Sequence, residues 1–183
     1  SFVDIKSASI YCGYDVFLTR KISELLLDQL KSNKKLSKVL FEIELPLEPV
    51  LSQMETSGIK VDIPYLNKLS NELKDSILKI EKEVYVLAGQ EFNLASPKQL
   101  GDILFEGLNL DKKKSRKTKT GWSTDALVLE KLSEEHEIIP LLIEHRTFSK
   151  LLSTYIDAIP MLVNQKTGRV HTNFNQAATA TGR

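Results

Sequence analysis

The sequence has very little cysteine, no long hydrophobic run and almost no net charge, and each absence excludes a class of protein. Cys12 is the one cysteine among 183 residues, so no disulfide can form within the chain and a reducing, cytoplasmic setting is predicted. No apolar run approaches the roughly 20 residues that a membrane span needs, which argues against a membrane protein. Because the net charge is only +1, any binding to nucleic acid has to depend on local basic patches.

What remains is the composition of an ordinary globular protein. Hydrophobic residues make up 42% of the chain and charged residues 27%, values that favour neither disorder nor a fibrous class. The first residues lack the basic and apolar blocks of a signal peptide. The sequence starts at Ser1 rather than at Met and stops at Arg183 within a segment that reads as continuing. We therefore expect an internal piece of a longer protein.

Hydrophobic periodicity predicts a mainly α fold with a small β portion near the C-terminal end. Residues 1–32 are predicted to be helical after a short lead, 32–35 to form a loop, and 36–43 to begin a second helix. Pro46 and Pro49 are expected to interrupt that helix, and Gly58 to cap the segment that follows. Residues 59–62 alternate between apolar and polar side chains, which indicates a brief strand or an extended linker.

The clearest helix follows Asp62, which is predicted to be its N-cap, and contains Pro64 in its first turn. Its apolar residues are spaced 3, 4, 4, 3, 4 and 3 apart up to Leu87 and form one stripe, and Gly89 ends the helix. About 25 residues at 1.5 Å per residue give roughly 38 Å. That length indicates an arm projecting from a larger body.

The rest of the chain is predicted to alternate short elements with one long helix. A short helix at 98–105 precedes a loop at 111–123, and Ser123 or Thr124 caps a helix that ends at Leu132. The long helix covers 138–158, and two strands then flank the turn at 165–168.

Four groups of residues can carry chemistry, and each also has an ordinary structural explanation. Six cations lie within the eight residues 112–119, which is typical of a solvated loop or of a loop that contacts phosphates. The helix from 138 has Arg146, Lys150 and Ser153 on one face, which also describes a common amphipathic helix. Its predicted apolar face, on the opposite side, consists of Leu141, Phe148, Leu152, Tyr155 and Ile159.

The other two groups lie near the ends. Tyr11 and Asp15 share a helix face, where Asp can hold a divalent metal and Tyr can orient a water that attacks a phosphodiester. Residues 167–183 are rich in amides, hydroxyls and arginine, which can donate hydrogen bonds to the minor-groove acceptors that every base pair displays. A polar loop is the plainer interpretation of this run.

Several segments then match one family in the same order along the chain. They are ELPLEPVL at 44–51, GIKVD at 58–62, EFNLASPKQL at 91–100, Ser-Thr at 123–124, and KTGRVHTNFNQAATATGR at 166–183. Together they resemble family A DNA polymerases of the bacterial DNA polymerase I type, and the resemblance covers essentially the whole chain. It implies that 1–45 ends a 3′–5′ exonuclease-like domain, that 46–158 form the helical hairpin of the thumb, and that 159–183 begin the palm with its first strands.

The resemblance also implies a set of DNA-binding residues. Arg183 matches an arginine that reaches the minor groove at the primer terminus, and Arg146 and Lys150 match cations on the DNA backbone. The remaining matches belong to the thumb turn, the thumb tip and a strand that follows the primer–template: Asn93, Ser96 and Lys98; Lys119, Thr120, Ser123 and Thr124; Asn175, Gln176 and Thr179. Tyr11 and Asp15 match the last exonuclease motif, which implies a metal role for Asp15.

By this resemblance the full-length protein is a DNA-directed DNA polymerase that extends a primer with dNTPs in replication and repair, using Mg²⁺. It is expected to act as a monomer in the bacterial cytoplasm, at the nucleoid. The palm and fingers motifs that catalyse polymerisation would follow Arg183, and the other exonuclease carboxylates would precede Ser1, so this piece alone is expected to be inactive. The residues leave two alternatives open, a non-catalytic helical module that binds nucleic acid and a helical protein–protein adaptor.

Overall fold

The computed structural model describes residues 3–119 and 121–181 of the chain. These residues form two compact units, one of residues 3–58 together with 171–181 and the other of residues 59–170. Among the described residues, no helix is both long enough and apolar enough to cross a membrane.

The first unit is helical from its start. Helix α1 covers Ile5–Lys31, and the Asp4 carboxylate caps it by accepting from the Ser7 amide. Helix α2 covers Lys34–Val39, a π-helical stretch covers Leu40–Glu44, and helix α3 covers Leu45–Ser57. The helix predicted within 1–32 is confirmed, whereas the predicted loop at 32–35 shrinks to two residues because Asn33 already caps α2.

The expected interruption at Pro46 and Pro49 is wrong, because the chain remains helical from Lys34 to Ser57. The Leu45 amide donates to the Leu40 carbonyl five residues back, so the turn before Pro46 is wider than an α-turn. This widened turn shifts the hydrogen-bond register, and Pro46 then lies in the first turn of α3, where its missing N–H is tolerated. Gly58 ends α3 at a φ of 61°, as predicted.

The second unit begins with strand β1, Ile59–Lys60, and helix α4, Ile63–Ala88. Asp62 accepts from the Tyr65 amide, and Gly89 adopts the left-handed conformation at φ 72°, so both predicted ends of α4 are confirmed. All seven residues of the predicted stripe are at least partly buried: Leu66, Leu69, Leu73, Ile77, Ile80, Val84 and Leu87.

The remaining elements are short except for one helix. In chain order they are α5 Pro97–Asp102, a π-helical stretch Ile103–Gly107, a 3₁₀ turn Lys112–Lys114, β2 Lys117–Thr118, β3 Gly121–Trp122, α6 Ala126–Leu132, α7 Ile138–Leu151, a π-helical stretch Leu152–Ile156, α8 Ala158–Met161, β4 Val163–Asn164 and β5 Arg169–Val170. The predicted loop at 111–123 thus contains a hairpin, in which Lys117 pairs with Trp122.

The predicted cap of α6 is also corrected. Asp125, not Ser123 or Thr124, caps the helix by accepting from the Val128 amide at 3.0 Å. The Ser123 hydroxyl donates to Asp125 instead. Three neighbouring residues with capping side chains occur here, and their spacing alone does not decide between them.

A three-stranded antiparallel sheet closes the second unit in the order β1-β5-β4. Val170 faces both Ile59 and Val163, which confirms the predicted turn at 165–168. The described residues 171–181 form no strand, in contrast to the strand that the resemblance implied at 175–179. Two amides in this segment bond to side chains instead of to a neighbouring strand, Phe174 to Glu55 and Ala177 to Asn175.

The core lies between α4, α7 and the short helices of the second unit. Ile138, Ile139, Leu142 and His145 are the buried residues of α7. The predicted apolar face is thus rotated about the helix axis relative to the face that is buried. Of its residues, those at 141, 148, 152 and 159 are only partly buried, and Tyr155 is exposed. The reason is that residues 123–125 cover part of the side that the pattern assigned to solvent, as the hydrogen bonds of Arg146 to Thr124 show.

Candidate nucleic-acid interface

An open groove of about 680 Å³ lies on the second unit. Three segments form its walls: the turn before α5, the hairpin with the residues that follow it, and one side of α7. Its lining residues are Leu94, Ala95, Pro97, Thr118, Trp122, Ser123, Thr124, Asp125, His145, Arg146 and Ser149. Segments up to 55 residues apart in sequence, from Leu94 to Ser149, thus meet around one surface, and three predicted DNA-binding residues line it.

Arg146 is the half-buried cation of the groove. Its guanidinium donates to the Thr124 carbonyl and, at 3.0 Å, to the Thr124 hydroxyl. Burial lowers the pKa of Arg146, and the nearby Asp125 carboxylate opposes that effect. Since a guanidinium has five N–H donors and stays protonated in proteins, Arg146 keeps donors for an anion after bonding Thr124.

Asp125 lines the groove and binds three hydrogen-bond donors. It accepts from the Val128 amide, from the Ser123 hydroxyl at 2.9 Å and from Arg116 at 3.2 Å. The Val128 amide, followed by Ser123 and Arg116, lowers the pKa of this carboxyl group. The carboxylate therefore remains ionised, fixes Ser123 and offsets the charge of Arg116.

The turn before α5 is fixed by its own polar side chains. The Asn93 side-chain oxygen accepts from the Ala95 amide at 2.9 Å, and the Ser96 hydroxyl oxygen accepts from the Gln99 amide at 3.4 Å. The Ser96 hydroxyl keeps its own proton for donation. Lys98 is exposed beside this turn, next to the groove residue Pro97.

The basic run 112–119 carries less unpaired charge than its sequence indicates. Three of its cations form ion pairs: Lys112 with Glu106 at 2.8 Å, Lys114 with Glu135 at 2.5 Å, and Arg116 with Asp125 at 3.2 Å. Lys113 and Lys119 are exposed, and neither forms an ion pair with any described residue. Thr120, which the resemblance also placed at this tip, lies outside the described residues.

Lys150 is exposed in the last turn of α7, beside the groove residue Ser149. The second unit thus gathers Ser123, Thr124 and Arg146 in the groove. The other predicted residues of this unit lie in the segments that border it: Asn93, Ser96, Lys98, Lys119 and Lys150.

The predicted residues of the C-terminal segment belong to the first unit. The Gln176 amide donates to the Glu44 carbonyl at 3.0 Å and to its carboxylate at 2.8 Å. Asn175 accepts from the Ala177 amide, and the Thr181 hydroxyl lies 3.3 Å from that of Thr179. Arg183 lies outside the described residues.

Tyr11 and Asp15 lie four residues apart on α1, and both are exposed. No group of three or more potential metal ligands occurs in the part of the chain that the structure describes. The described residues therefore do not fit a complete Mg²⁺ site, and Asp15 needs partners from outside them to hold a metal.

Three groove-associated residues were missed by the sequence patterns. Trp122 and Asp125 line the groove, and His145 lies there beside the Glu81 carboxylate at 3.3 Å. The one tryptophan of the chain, next to a basic run, was a usable signal for Trp122. No comparable local signal marks His145, because Glu81 is 64 residues away.

Comparison with known proteins gives one consistent result. The sequence profile described as DNA polymerase family A matches residues 63–183. The DNA polymerase I of Synechocystis sp. is 52% identical over 98% of this chain and 18% of that protein. The thermostable DNA polymerase I of Thermus thermophilus is 46% identical over 93% of the chain and 20% of that protein.

A solved structure agrees with these sequence matches. It is the POL domain of Pol1 from M. smegmatis in complex with DNA primer-template and dNTP, with a TM-score of 0.78 and 37% identity over 89% of this chain and 28% of that one. The fold and the sequence thus agree on one class of protein, the DNA polymerases. The chain belongs to DNA polymerase family A, as its resemblance indicated, and spans about a fifth of the length of the curated relatives it matches.

Proposed function

We propose that these residues are the DNA-gripping part of a DNA-directed DNA polymerase, which extends a DNA primer with dNTPs in replication and repair. Support comes from relatives named DNA polymerase I and from the similar POL domain solved with primer-template and dNTP. In this proposal, residues 46–158 act as the thumb, 1–45 end an exonuclease-like domain and 159–183 enter the palm.

The groove of the second unit is the observation that carries the proposal. Arg146, Ser123 and Thr124 line it, and the exposed Lys98 and Lys150 border it. Such an arrangement suits a DNA backbone, because cations neutralise phosphates while hydroxyls and N–H groups donate to their oxygens. None of these contacts requires a particular base, which fits a protein that must hold any duplex.

The segment 171–181 and α1 have roles that depend on the longer protein. We assign Asn175, Gln176, Thr179 and Arg183 to the primer–template, with the Gln176–Glu44 bonds exchanged for DNA contacts. Tyr11 and Asp15 belong to an exonuclease site that other carboxylates complete, with Mg²⁺ supplying charge neutralisation there and in the polymerase site. The protein works as a monomer in the bacterial cytoplasm.

A salt titration of DNA binding tests the grip. In the full-length protein, replacing Lys119, Lys98 or Lys150 by alanine should reduce the slope of log affinity for primer–template DNA against log salt by about 0.9 for each phosphate that is no longer neutralised. Fluorescence anisotropy with a labelled duplex measures this slope.

Lys68→Ala provides the matched control, since Lys68 is an exposed lysine of α4 that pairs with Glu72 at 3.7 Å and is not among the residues that line the groove. Its slope should equal that of the unchanged protein. Duplex binding that is tight but indifferent to salt and to the substitution of Lys98, Lys119 and Lys150 would contradict the proposal and favour a protein–protein adaptor.

A further inference from the structure

Trp122 joins the hairpin to the rest of the second unit through contacts on several sides. Its indole N–H donates to the Glu106 carboxylate at 3.1 Å, and its ring lies 5.5 Å from the ring of the fully buried Phe105. The amino groups of Lys117 and Lys112 lie 5.3 and 5.9 Å from the indole centroid, within the range of cation–π attraction.

Glu106 ties these contacts together. Its second oxygen pairs with Lys112 at 2.8 Å, so one carboxylate holds both the indole and a lysine above it. The hydrogen bond from Lys112, and then the one from Trp122, lower the pKa of Glu106. The carboxylate is therefore charged at neutral pH and accepts from both groups.

Gly101 provides a close approach between α5 and the hairpin. A Cβ atom placed on Gly101 would lie 3.0 Å from the Trp122 carbonyl oxygen and 3.6 Å from the Trp122 Cβ. The hairpin backbone thus rests directly on the helix where a side chain is absent. Two independent features, the indole contacts and this glycine, fix the same strand β3.

The hairpin carries the cations at the edge of the groove. Lys117 pairs with Trp122 across the two strands, and Lys119 lies in the turn between them. Two-stranded hairpins of this size are marginal in water by themselves, so an anchor is required to hold their cations in one place.

We propose that Trp122 is a positioning residue, which holds the hairpin so that Lys117 and Lys119 meet the phosphates of the bound duplex. This inference rests on the proposed function, because it takes the duplex backbone as the ligand of the groove. Trp122 would thus contribute to DNA binding without contacting a phosphate itself.

A double-mutant cycle tests it in the full-length protein. Lys119→Ala alone should lower the salt slope of primer–template binding by about 0.9. Trp122→Ala should lower the slope by up to about 1.8, the contribution of two neutralised phosphates. In the Trp122→Ala background, Lys119→Ala should then have only a small further effect, because a loose hairpin no longer holds Lys119 against a phosphate.

Two further variants separate positioning from folding. Trp122→Phe keeps a ring against Phe105 and below the lysines and should retain most of the slope. Gly101→Ala keeps the indole but adds a Cβ 3.0 Å from the Trp122 carbonyl oxygen, so β3 has to shift by a few tenths of an ångström. It should lower the slope in the same direction as Trp122→Ala but by less, although alanine favours the helical state. Circular dichroism of each variant at the assay temperature verifies that the protein is folded.

The outcomes distinguish the positioning role of Trp122 from the proposed binding of DNA. If Lys119→Ala lowers the salt slope equally in the unchanged protein and in the Trp122→Ala protein, the positioning role of Trp122 is overturned. The proposed binding of DNA by the groove is not affected by that result. If Lys119→Ala changes nothing in the unchanged protein, the role of the hairpin in DNA binding fails, and the positioning role fails with it.

Discussion

Two polar side chains of α4 contact Asp157, the residue between the π-helical stretch Leu152–Ile156 and α8. The Ser70 hydroxyl donates to Asp157 at 2.7 Å, and Lys74 pairs with the same carboxylate at 3.2 Å. Ser70 is buried and has this acceptor within the second unit. The Ser70 hydrogen bond, followed by Lys74, lowers the pKa of Asp157 below its ordinary value of 3.8.

This lowered pKa predicts a dependence of stability on pH. A carboxyl group with a lower pKa in the folded state contributes stability above its unfolded pKa and loses it as pH falls through the folded value. Asp157→Asn should therefore melt at a lower temperature than the unchanged protein at pH 7, and the difference should shrink from about pH 4 downward. Thermal unfolding followed by circular dichroism from pH 7 to pH 2 measures both curves.

Asp75→Asn is the matched control, an exposed aspartate of α4 that forms no ion pair with any described residue. Its melting temperature should follow that of the unchanged protein throughout. A constant difference between Asp157→Asn and the unchanged protein from pH 7 to pH 2 would show that the carboxylate charge is not what stabilises the contact.

At the scale of elements, the packing of α4 on α7 supports the groove. Val84 and Leu142 from these helices are almost completely buried, as are Leu100 and Leu104 from α5 and the π-helical stretch after it. One wall of the groove is the side of α7 that carries Arg146, and another is the turn at Asn93 that precedes α5. Because the core packs α5 and α7 in the same unit, it sets the distance between these two walls. A change in the core therefore acts on the position of both walls.

Leu142→Ala should destabilise the protein by about 3 kcal/mol, because it removes a side chain with 1% exposure and leaves a cavity. Urea unfolding followed by circular dichroism gives the free energy. The comparison variant is Leu78→Ala on α4, whose side chain is 54% exposed and should cost well under 1 kcal/mol. Equal losses for the two variants would mean that α7 does not pack as described.

At the scale of the whole molecule, apolar burial is unevenly distributed between the two units. Every buried hydrophobic side chain of the described residues belongs to residues 59–170. In α1, by contrast, Ile22, Leu25 and Leu26 are 55%, 66% and 57% exposed. The second unit has a core of its own, whereas α1 presents its apolar residues outward.

Hydrogen exchange in the 183-residue chain should reflect this difference. Amides of α4 and α7 should exchange slowly, since they open only with the core, and amides of α1 should exchange orders of magnitude faster. Mass spectrometry of peptides from the labelled chain resolves the helices. Protection of α1 equal to that of α4 would show that its stability does not depend on buried apolar contacts.

Features that depend on neighbours three or four residues apart could be predicted from the amino-acid order. Asp62 and Gly89 mark the ends of α4, and the apolar stripe between them is buried as its spacing indicated. Such features are predictable because a cap or a helix face involves only the local backbone. The family could also be predicted from the sequence, because the matching segments extend along the whole chain.

Contacts across larger separations emerged only from the folded chain. Thr124 lies 22 residues from Arg146, and Ser70 lies 87 residues from Asp157, so neither pair leaves a pattern in the sequence. The hairpin depends in the same way on Trp122 resting against Gly101 and Glu106. The physical reason is that burial strengthens a polar contact or makes its loss costly, and burial is set by segments that are distant along the chain.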